Sequence, residues 1–283
     1  MKAVQTGRPD YDARMRRARH LAAAHPFAAE VLTFYERLVA FQKDFYGKIR
    51  CSGRVPPRSG MDGHLRSELH LGDLLRHFPE LLALLRNVGP QPVAEAARAM
   101  ASRASSEWSD LLMDFWSFSR GTESGAEVQD LPAQPLEEFV LRAFLQPYAE
   151  FLAGRMPEAP LAATYRSCPR CGSPPLLGVL RQEGDGGKRR LLCSFCLQEW
   201  DFRRIFCAAC GEEDEKKLPV YVAEQFPHVR VESCDTCGFY LRTIDLTKDG
   251  NAVPLVDDLA AIPLSLWAHE RGYARVHPNL LGT

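Results

Sequence analysis

Two patterns of hydrophobic positions divide the chain. From Asp10 to about Met156, apolar residues recur at steps of three and four with polar residues between them, which is typical of helices that bury one face. In FAAEVLTFYERLVAFQKDFYGKIR, the apolar residues that share one helical face are Val31, Phe34, Tyr35, Leu38, Phe41 and Phe45. This half therefore predicts a bundle of about four to six helices.

Proline and glycine set the expected limits of several further helices. PELLALLRN begins with a proline suited to a first helical turn, and residues 92–121 predict one long helix. Its apolar stripe consists of Val93, Ala97, Met100, Ala104, Trp108, Leu111 and Phe115. Polar, Pro- and Gly-rich stretches at 51–63 and 121–135 predict loops, and Pro147 is expected to kink or split the last helix.

Short β-type runs replace the helical pattern in the second half. Residues 176–181 and 188–192 predict a hairpin around GDGG, and Val220 and Val222 are expected to face Val229 and Val231 across QFPH. The resulting division is a helical domain (1–156), a linker (157–167), a first metal module (168–204), and a second module with a carboxyl-terminal helix (205–283). The fold class is α+β.

Composition and charge change this picture little. The 283 residues are 46% hydrophobic and 25% charged, and their net charge of -1 implies no overall attraction to nucleic acid or anionic membranes. The sequence contains no run of eighteen apolar residues and no apolar signal segment at its start. We therefore expect a cytoplasmic protein without membrane insertion.

Eight of the nine cysteines form CxxC pairs, which are Cys168/Cys171, Cys193/Cys196, Cys207/Cys210 and Cys234/Cys237. This spacing in a cytoplasmic chain indicates metal-thiolate sites rather than disulfides, and redox dithiols are a minor alternative. Each predicted hairpin brings the second pair of its half back to the first, which favours two sequential sites. Two other pairings stay open: the middle pairs together, or first with third and second with fourth.

Two cysteine pairs complete one tetrahedral site with metal–sulfur distances of about 2.3 Å. We predict two metal ions per chain as the cofactors, iron or zinc, each held by four cysteines, and no catalytic residues. A closed site favours a structural role, although iron could also cycle by one electron. The cations expected to offset the thiolate charge are Lys188, Arg189, Arg190, Arg203 and Arg204. The ninth cysteine, Cys51, is predicted to be a buried free thiol.

Several stretches resemble the formate dehydrogenase accessory proteins of the FdhE type. The resemblance rests on CPRCGSPP, RLLCSFCLQEWDFRRIFCAACG and ESCDTCGFYLRTIDLTKDGNAVPLVDDLAAIPLSLWAHERGY, with RARHLAAAHPFAAEVLTFYERLVAFQ near the start. It implies a helical domain followed by two rubredoxin-like modules that bind iron or zinc. It also implies a non-enzymatic protein whose partner is the catalytic subunit of a formate dehydrogenase, which it helps to become active in the cytoplasm.

Two other functions compete with this one. The first is a rubredoxin-like electron-transfer partner, and the second, which the acidic run Glu212–Glu215 disfavours, is a nucleic-acid-binding zinc-ribbon protein. The sequence has no phosphate loop, nucleophile elbow or HExxH motif.

The carboxyl-terminal region predicts a helix capped by Asp257 or Asp258 and continuing through Leu259, Ile262, Leu266 and Trp267. A partner-binding groove is a further hypothesis for this region, near Tyr240, Arg242, Asp257 and Asp258.

Overall fold

The computed structural model describes residues 9–51, 65–67, 69–117, 136–156, 163–184, 186–279 and 282. The loop expected at 121–135, the loop at 51–63 apart from Cys51, and residues 157–162 of the expected linker lie outside these ranges. In the part of the chain that is described, no helix is both long and apolar enough to span a bilayer.

The described amino-terminal half is helical, as its hydrophobic pattern predicts, but it contains seven α-helices rather than about four to six. Its α-helices are α1 (Tyr11–Ala24), α2 (Ala29–Cys51), α3 (Leu71–Leu75), α4 (Phe78–Val88), α5 (Gln91–Ala101), α6 (Ser105–Ser117) and α7 (Leu136–Ala153). On α2, the predicted stripe is largely buried, and Leu32 and Val39 widen it because they lie beside it on the same face.

Helix α7 lies at the centre of the bundle, since residues 139–153 are all buried. Pro147 lies inside this helix without splitting it. Two polar groups of α7 have partners on neighbouring helices: Arg14 of α1 donates two hydrogen bonds to the Glu150 carboxylate, at 3.0 and 3.1 Å, and Gln42 of α2 donates to the backbone carbonyl of Ala143 at 2.9 Å. Burial raises the pKa of Glu150, and the guanidinium of Arg14 opposes that shift.

The single helix expected over residues 92–121 is wrong, because the chain breaks between α5 and α6. The break follows Ala101, and Ala104, which was placed on the buried stripe, is exposed. The indole of Trp108 donates to the carbonyl of Met100 at 2.7 Å across the break. The second helix fully buries Leu112 and Trp116, while the predicted stripe residues Trp108, Leu111 and Phe115 are half-buried against the same core.

The second half forms a seven-stranded sheet within the described residues. Its strands are β1 (Pro175–Glu183), β2 (Gly186–Cys193), β3 (Glu199–Asp201), β4 (Val220–Val222), β5 (Val229–Ser233), β6 (Phe239–Asp245) and β7 (Ala274–Arg275). Their order is β3-β2-β1-β6-β5-β4, with β7 paired to β6. The β1/β2 and β4/β5 hairpins are therefore confirmed as antiparallel pairs.

A parallel pairing of β1 with β6 joins the two cysteine-bearing parts into this one sheet. Gly178 pairs with Thr243, and a Cβ at Gly178 would lie 2.2 Å from the Thr243 hydroxyl oxygen. Only glycine allows that approach. The predicted modules therefore share a continuous sheet.

The expected facing of the β4 valines is wrong. Val220 pairs with Glu232 and Val222 with Arg230, so the valines lie on the sheet face opposite to Val229 and Val231. Both β4 valines are exposed, at 53% and 51% of their surface. A shift of one residue in the pairing of two strands moves every side chain of the strand to the opposite face of the sheet.

The carboxyl-terminal region contains two short helices, α8 (Pro254–Ala260) and α9 (Ile262–Glu270). Asp257 and Asp258 lie inside α8, where the Asp257 carboxylate accepts from the amide of the N-cap residue Val253 at 2.7 Å, and Leu266 is exposed. The side chains of Tyr240, Arg242 and both aspartates are buried, so they are not exposed to a partner as the groove hypothesis requires. Asp258 instead pairs with Arg242 at 2.8 Å and Arg275 at 2.7 Å.

Candidate metal centres

The four CxxC turns share one backbone geometry. In each, the amide of the first cysteine donates to the carbonyl five residues later: Cys168 to Ser173, Cys193 to Gln198, Cys207 to Glu212 and Cys234 to Phe239. The residue after the second cysteine has a positive φ in all four turns, and it is glycine in three of them: Gly172, Gly211 and Gly238. In the remaining turn, Leu197 takes this conformation with φ of 54°.

The first cluster brings together Cys168, Cys171, Cys193 and Cys196, and all four are buried. Its Sγ atoms lie 3.6 Å apart for Cys168 and Cys196 and 3.4 Å apart for Cys171 and Cys193. The amide of Phe195 donates to the Cys193 sulfur at 3.3 Å, which is the kind of contact that stabilises a thiolate.

The second cluster brings together Cys207, Cys210, Cys234 and Cys237. Here the Sγ atoms lie 3.8 Å apart for Cys207 and Cys237 and 3.7 Å apart for Cys210 and Cys234. Cys210 is exposed and Cys237 is half-buried. The amides of Ala209 and Cys210 point to the Cys207 sulfur at 3.4 and 3.5 Å.

Both donor sets fit a tetrahedral metal ion. Metal–sulfur bonds of about 2.3 Å imply sulfur–sulfur edges of about 3.8 Å in a regular tetrahedron. The four ligand atoms of each cluster lie within 4.8 Å of one another, and the close sulfur pairs span 3.4–3.8 Å. The grouping is sequential along the chain. The clusters can hold iron or zinc, since both metals accept four thiolates.

The thiols of the first cluster need nearby positive charge to lose their protons. Burial raises the pKa of Cys193 and Cys196 well above the ordinary thiol value. Hydrogen bonds from Cys168 and Cys193 lower the pKa of Cys171. A bound divalent ion keeps such buried thiols deprotonated, because the ion replaces their protons as the source of positive charge.

A guanidinium from the helical half lies beside the first cluster. Arg66 donates to the carbonyls of Cys171 at 2.9 Å and Phe115 at 3.1 Å, and to the Ser173 hydroxyl at 2.9 Å. It also stacks over the Phe195 ring, 4.6 Å from its centre. Burial lowers the pKa of Arg66, and the four cysteines oppose that shift. Sequence reasoning missed this residue because it lies about 100 positions before the cysteines.

The cations expected to offset the thiolates have other partners. Lys188 and Arg190 both pair with Asp201 at 2.9 Å, and Arg203 pairs with Glu213 at 2.9 Å. The buried Arg189 pairs with Glu232 at 2.6 Å, and Arg204 is exposed. Four of the five cations predicted to offset the thiolates therefore pair with carboxylates instead.

Cys51 lies at the end of α2 and is exposed, so the prediction that it is a buried thiol is also wrong. A third group of possible ligands contains His228, Asp249 and Asp257. The guanidinium of Arg17 already occupies it, with hydrogen bonds to both aspartates. Arg17 thus supplies the positive charge there and ties α1 to α8.

Comparison with known proteins places these centres in a family. The family description "FdhE, central domain" matches residues 167–204, which contain the first cluster. The description "FdhE, C-terminal domain" matches residues 205–281, which contain the second cluster. The crystal structure of the FdhE protein from Pseudomonas aeruginosa aligns over 97% of both chains, with a TM-score of 0.68 and 27% sequence identity.

The chain belongs to the FdhE family. The FdhE homolog of Aquifex aeolicus is 29% identical over 217 residues, which cover 76% of this chain and 72% of the relative. The homolog of Pectobacterium carotovorum is 27% identical over 279 residues, covering 95% and 86%. In this FdhE-family chain, each of the two matched domains contains its own complete four-cysteine cluster.

Proposed function

We propose that this protein is a cytoplasmic, non-enzymatic maturation factor that binds the catalytic subunit of a formate dehydrogenase and supports its assembly into active enzyme. Its FdhE-family membership, seen in two consecutive domains and in the fold, is the observation that carries the proposal. The eight cysteines are assigned as ligands of two metal ions, iron or zinc, on the strength of their number and sulfur geometry.

The role that we propose for the metal ions follows from their coordination by four cysteines. A closed four-thiolate site has no open position for a substrate, so the ions serve to hold the sheet in the shape that meets the partner. The helical half and the first cluster are packed together, since its cysteines belong to the same hydrophobic cluster as the bundle core. We therefore expect partner binding to require an intact first cluster.

Co-purification tests the proposal. A tagged formate dehydrogenase catalytic subunit from the same organism is expected to recover the wild-type protein. The double substitution Cys193→Ser with Cys196→Ser is expected to abolish recovery, while the exposed Cys51→Ser serves as the matched control and should be recovered normally. Failure of the wild-type protein to bind any maturation state of that subunit would refute the proposal.

A maturation assay separates binding from function. Deletion of the gene is expected to leave the catalytic subunit present but inactive in formate oxidation, and the wild-type gene should restore activity. Normal activity in the deletion strain would contradict the maturation role even if the two proteins bind.

One observation favours electron transfer as a second candidate function. Cys210 of the second cluster is exposed, so an iron ion there would lie close to a docked redox partner. Anaerobic, iron-replete purification with metal analysis and visible spectroscopy tests this. Iron with a reversible one-electron change is the expected result, and zinc alone under those conditions would exclude it.

A further inference from the structure

A cavity of about 120 Å³ lies between the sheet and the segment that joins the two clusters. Leu180, Arg189, Glu232 and Leu241 line its floor, and their pairings place them on the sheet face opposite to Val229 and Val231. The connecting segment covers it with Arg204, Phe206, Cys207 and Ala208. Protein cavities of roughly 150 Å³ accept a benzene-sized guest, so this space suits one small group.

The walls of the cavity are largely apolar, and their charged side chains are three arginines and Glu232, with Cys207 and Cys234 of the second cluster at one end. Of its three arginines, Arg189 pairs with Glu232 at 2.6 Å, and Arg230 pairs with Asp245. Arg204 has no ion pair or side-chain hydrogen bond among the described residues, and it is exposed. One positive charge at the opening of the cavity is therefore not balanced by the carboxylates around it.

Arg189 adds a second observation that points to a ligand. This side chain is 5% exposed, and its two terminal nitrogens are used in bonds to Glu232 and to the carbonyls of Arg203 and Phe206. Its Nε atom is buried and has no hydrogen-bond partner in the described chain. Buried donors are nearly always paired, so an acceptor brought by a guest would complete this arginine.

The position of Arg204 separates the positive charge from the second cluster. Its Nη2 atom lies 3.5 Å from where a Cβ on Gly187 would be, at the tip of the β1/β2 hairpin. Cys234 follows β5 and lies at the opposite end of the sheet, because Ser233 pairs with Tyr240 at the start of β6. Cys207 and Cys234 line the cavity at that opposite end, so an anionic group is favoured only at the hairpin end, beside Arg204.

We propose that this cavity binds a carboxylate attached to a small apolar body. Arg204 and the free Nε donor of Arg189 receive the carboxylate, and the apolar body lies against Leu180, Phe206 and Leu241. The guest is either a free small carboxylic acid or a carboxylate-bearing residue of a bound polypeptide. This binding site does not depend on the proposed maturation role.

Titration of the full-length, metal-loaded protein tests the site. Benzoate is the probe, and benzamide is its neutral counterpart of the same shape. Saturable benzoate-dependent NMR shifts are expected at amides of the lining residues, with benzamide at least about tenfold weaker because it lacks the charge that pairs with arginine. Equal binding of the two probes, or no saturable shift with benzoate, would overturn the proposal.

Matched arginine variants locate the contact. Arg204→Gln is expected to weaken benzoate binding about tenfold, whereas Arg19→Gln, which removes an exposed arginine paired with Glu36 on the helical half, should leave the affinity unchanged. Both positions are exposed, so neither change should prevent folding. Equal losses in the two variants would contradict the assignment to Arg204.

A further titration with a peptide distinguishes the two sources of the carboxylate. Gly-Gly-Phe with a free α-carboxylate is compared with its amide and with benzoate. Tighter binding of the free peptide than of benzoate supports a polypeptide guest, and weaker binding supports a free acid. If the amidated peptide binds as well as the free peptide, the carboxylate is not what the site recognises, and the proposal fails.

Discussion

The first cysteine cluster is enclosed by the helical bundle, whereas the second lies at the surface, although their CxxC turns have the same backbone geometry. Around the first cluster, Arg66 ties the turn to the end of α6, and the rings of Phe115 and Trp116 pack edge-on against Phe195. Around the second, the neighbours are polar: Glu212 accepts from Thr236 and two backbone amides, which lower its pKa to about 2.

This difference shows that ligand spacing does not determine what a metal site contributes. The first cluster joins two layers of the molecule, because its four cysteines pack into the core of the helical half. The second cluster closes its own turns and borders the cavity beneath Phe206. Loss of the first should therefore affect the whole fold, and loss of the second should remain local.

The largest effect is expected from removing each cluster separately. Cys193→Ser with Cys196→Ser should unfold the molecule cooperatively, since structural zinc contributes on the order of 10 kcal/mol to small metal domains. Cys210→Ser with Cys237→Ser is the matched variant and should retain the helical signal. Circular dichroism at 222 nm during thermal unfolding measures both. Equal loss of helix in the two variants would contradict the contrast between the clusters.

The next effect concerns the link between the first cluster and the bundle. Arg66→Met should lower the free energy of unfolding by about 2–4 kcal/mol, because it leaves the carbonyls of Cys171 and Phe115 without their donor. Arg19→Met, which removes an exposed ion pair with Glu36, should cost no more than about 0.5 kcal/mol. Urea denaturation of both variants decides whether Arg66 stabilises the fold or merely lies beside the cluster.

A smaller contrast should be visible in metal release. A chelator should remove metal in two phases, the faster from the second cluster, because Cys210 and Cys237 are open to solvent. We expect rates that differ by at least about tenfold, equivalent to about 1.4 kcal/mol in activation free energy. The Cys210→Ser variant should lack the fast phase. A single phase in the wild-type protein would show that burial does not control release.

The most local effect tests the turn geometry that the two clusters share. Gly211→Ala should cost about 1–2 kcal/mol, because alanine is disfavoured at its φ of 86°. Only the Phe206 ring lies near the added methyl, at ordinary contact distance, so the cost is backbone strain. Gly250→Ala, where no atom lies within 4 Å and φ is not positive, is the control in urea denaturation. If the free energy of unfolding changes equally little in both variants, the positive φ of Gly211 does not contribute to stability as we expect.

Features set by neighbouring residues could be predicted from the sequence. The helical half, the two antiparallel hairpins and the sequential grouping of the cysteines follow from short-range periodicity and from turns that return the chain to itself. The prediction of one helix over residues 92–121 failed because the apolar spacing continues through Ala104 in the sequence, whereas the helix ends at Ala101 and a new one begins at Ser105.

Other features depended on contacts between distant residues. The parallel pairing of Gly178 with Thr243, the approach of Arg66 to the first cluster, and the arginine-lined cavity each join segments that lie far apart in the chain. Arg189 was predicted to offset thiolates, yet its guanidinium reaches Glu232 instead. The register of β4, which exposes Val220 and Val222, was likewise set by its pairing with β5.

Local spacing was enough to predict the helical and β-rich halves and the family, and it favoured the sequential grouping of the cysteines, because these depend on residues within a few dozen positions. Contacts between distant segments settle that the first cluster is fully buried while Cys210 of the second is exposed, and that the two β parts form one sheet. The physical reason is that burial and charge pairing depend on which distant segments pack together, and local spacing carries little information about that choice.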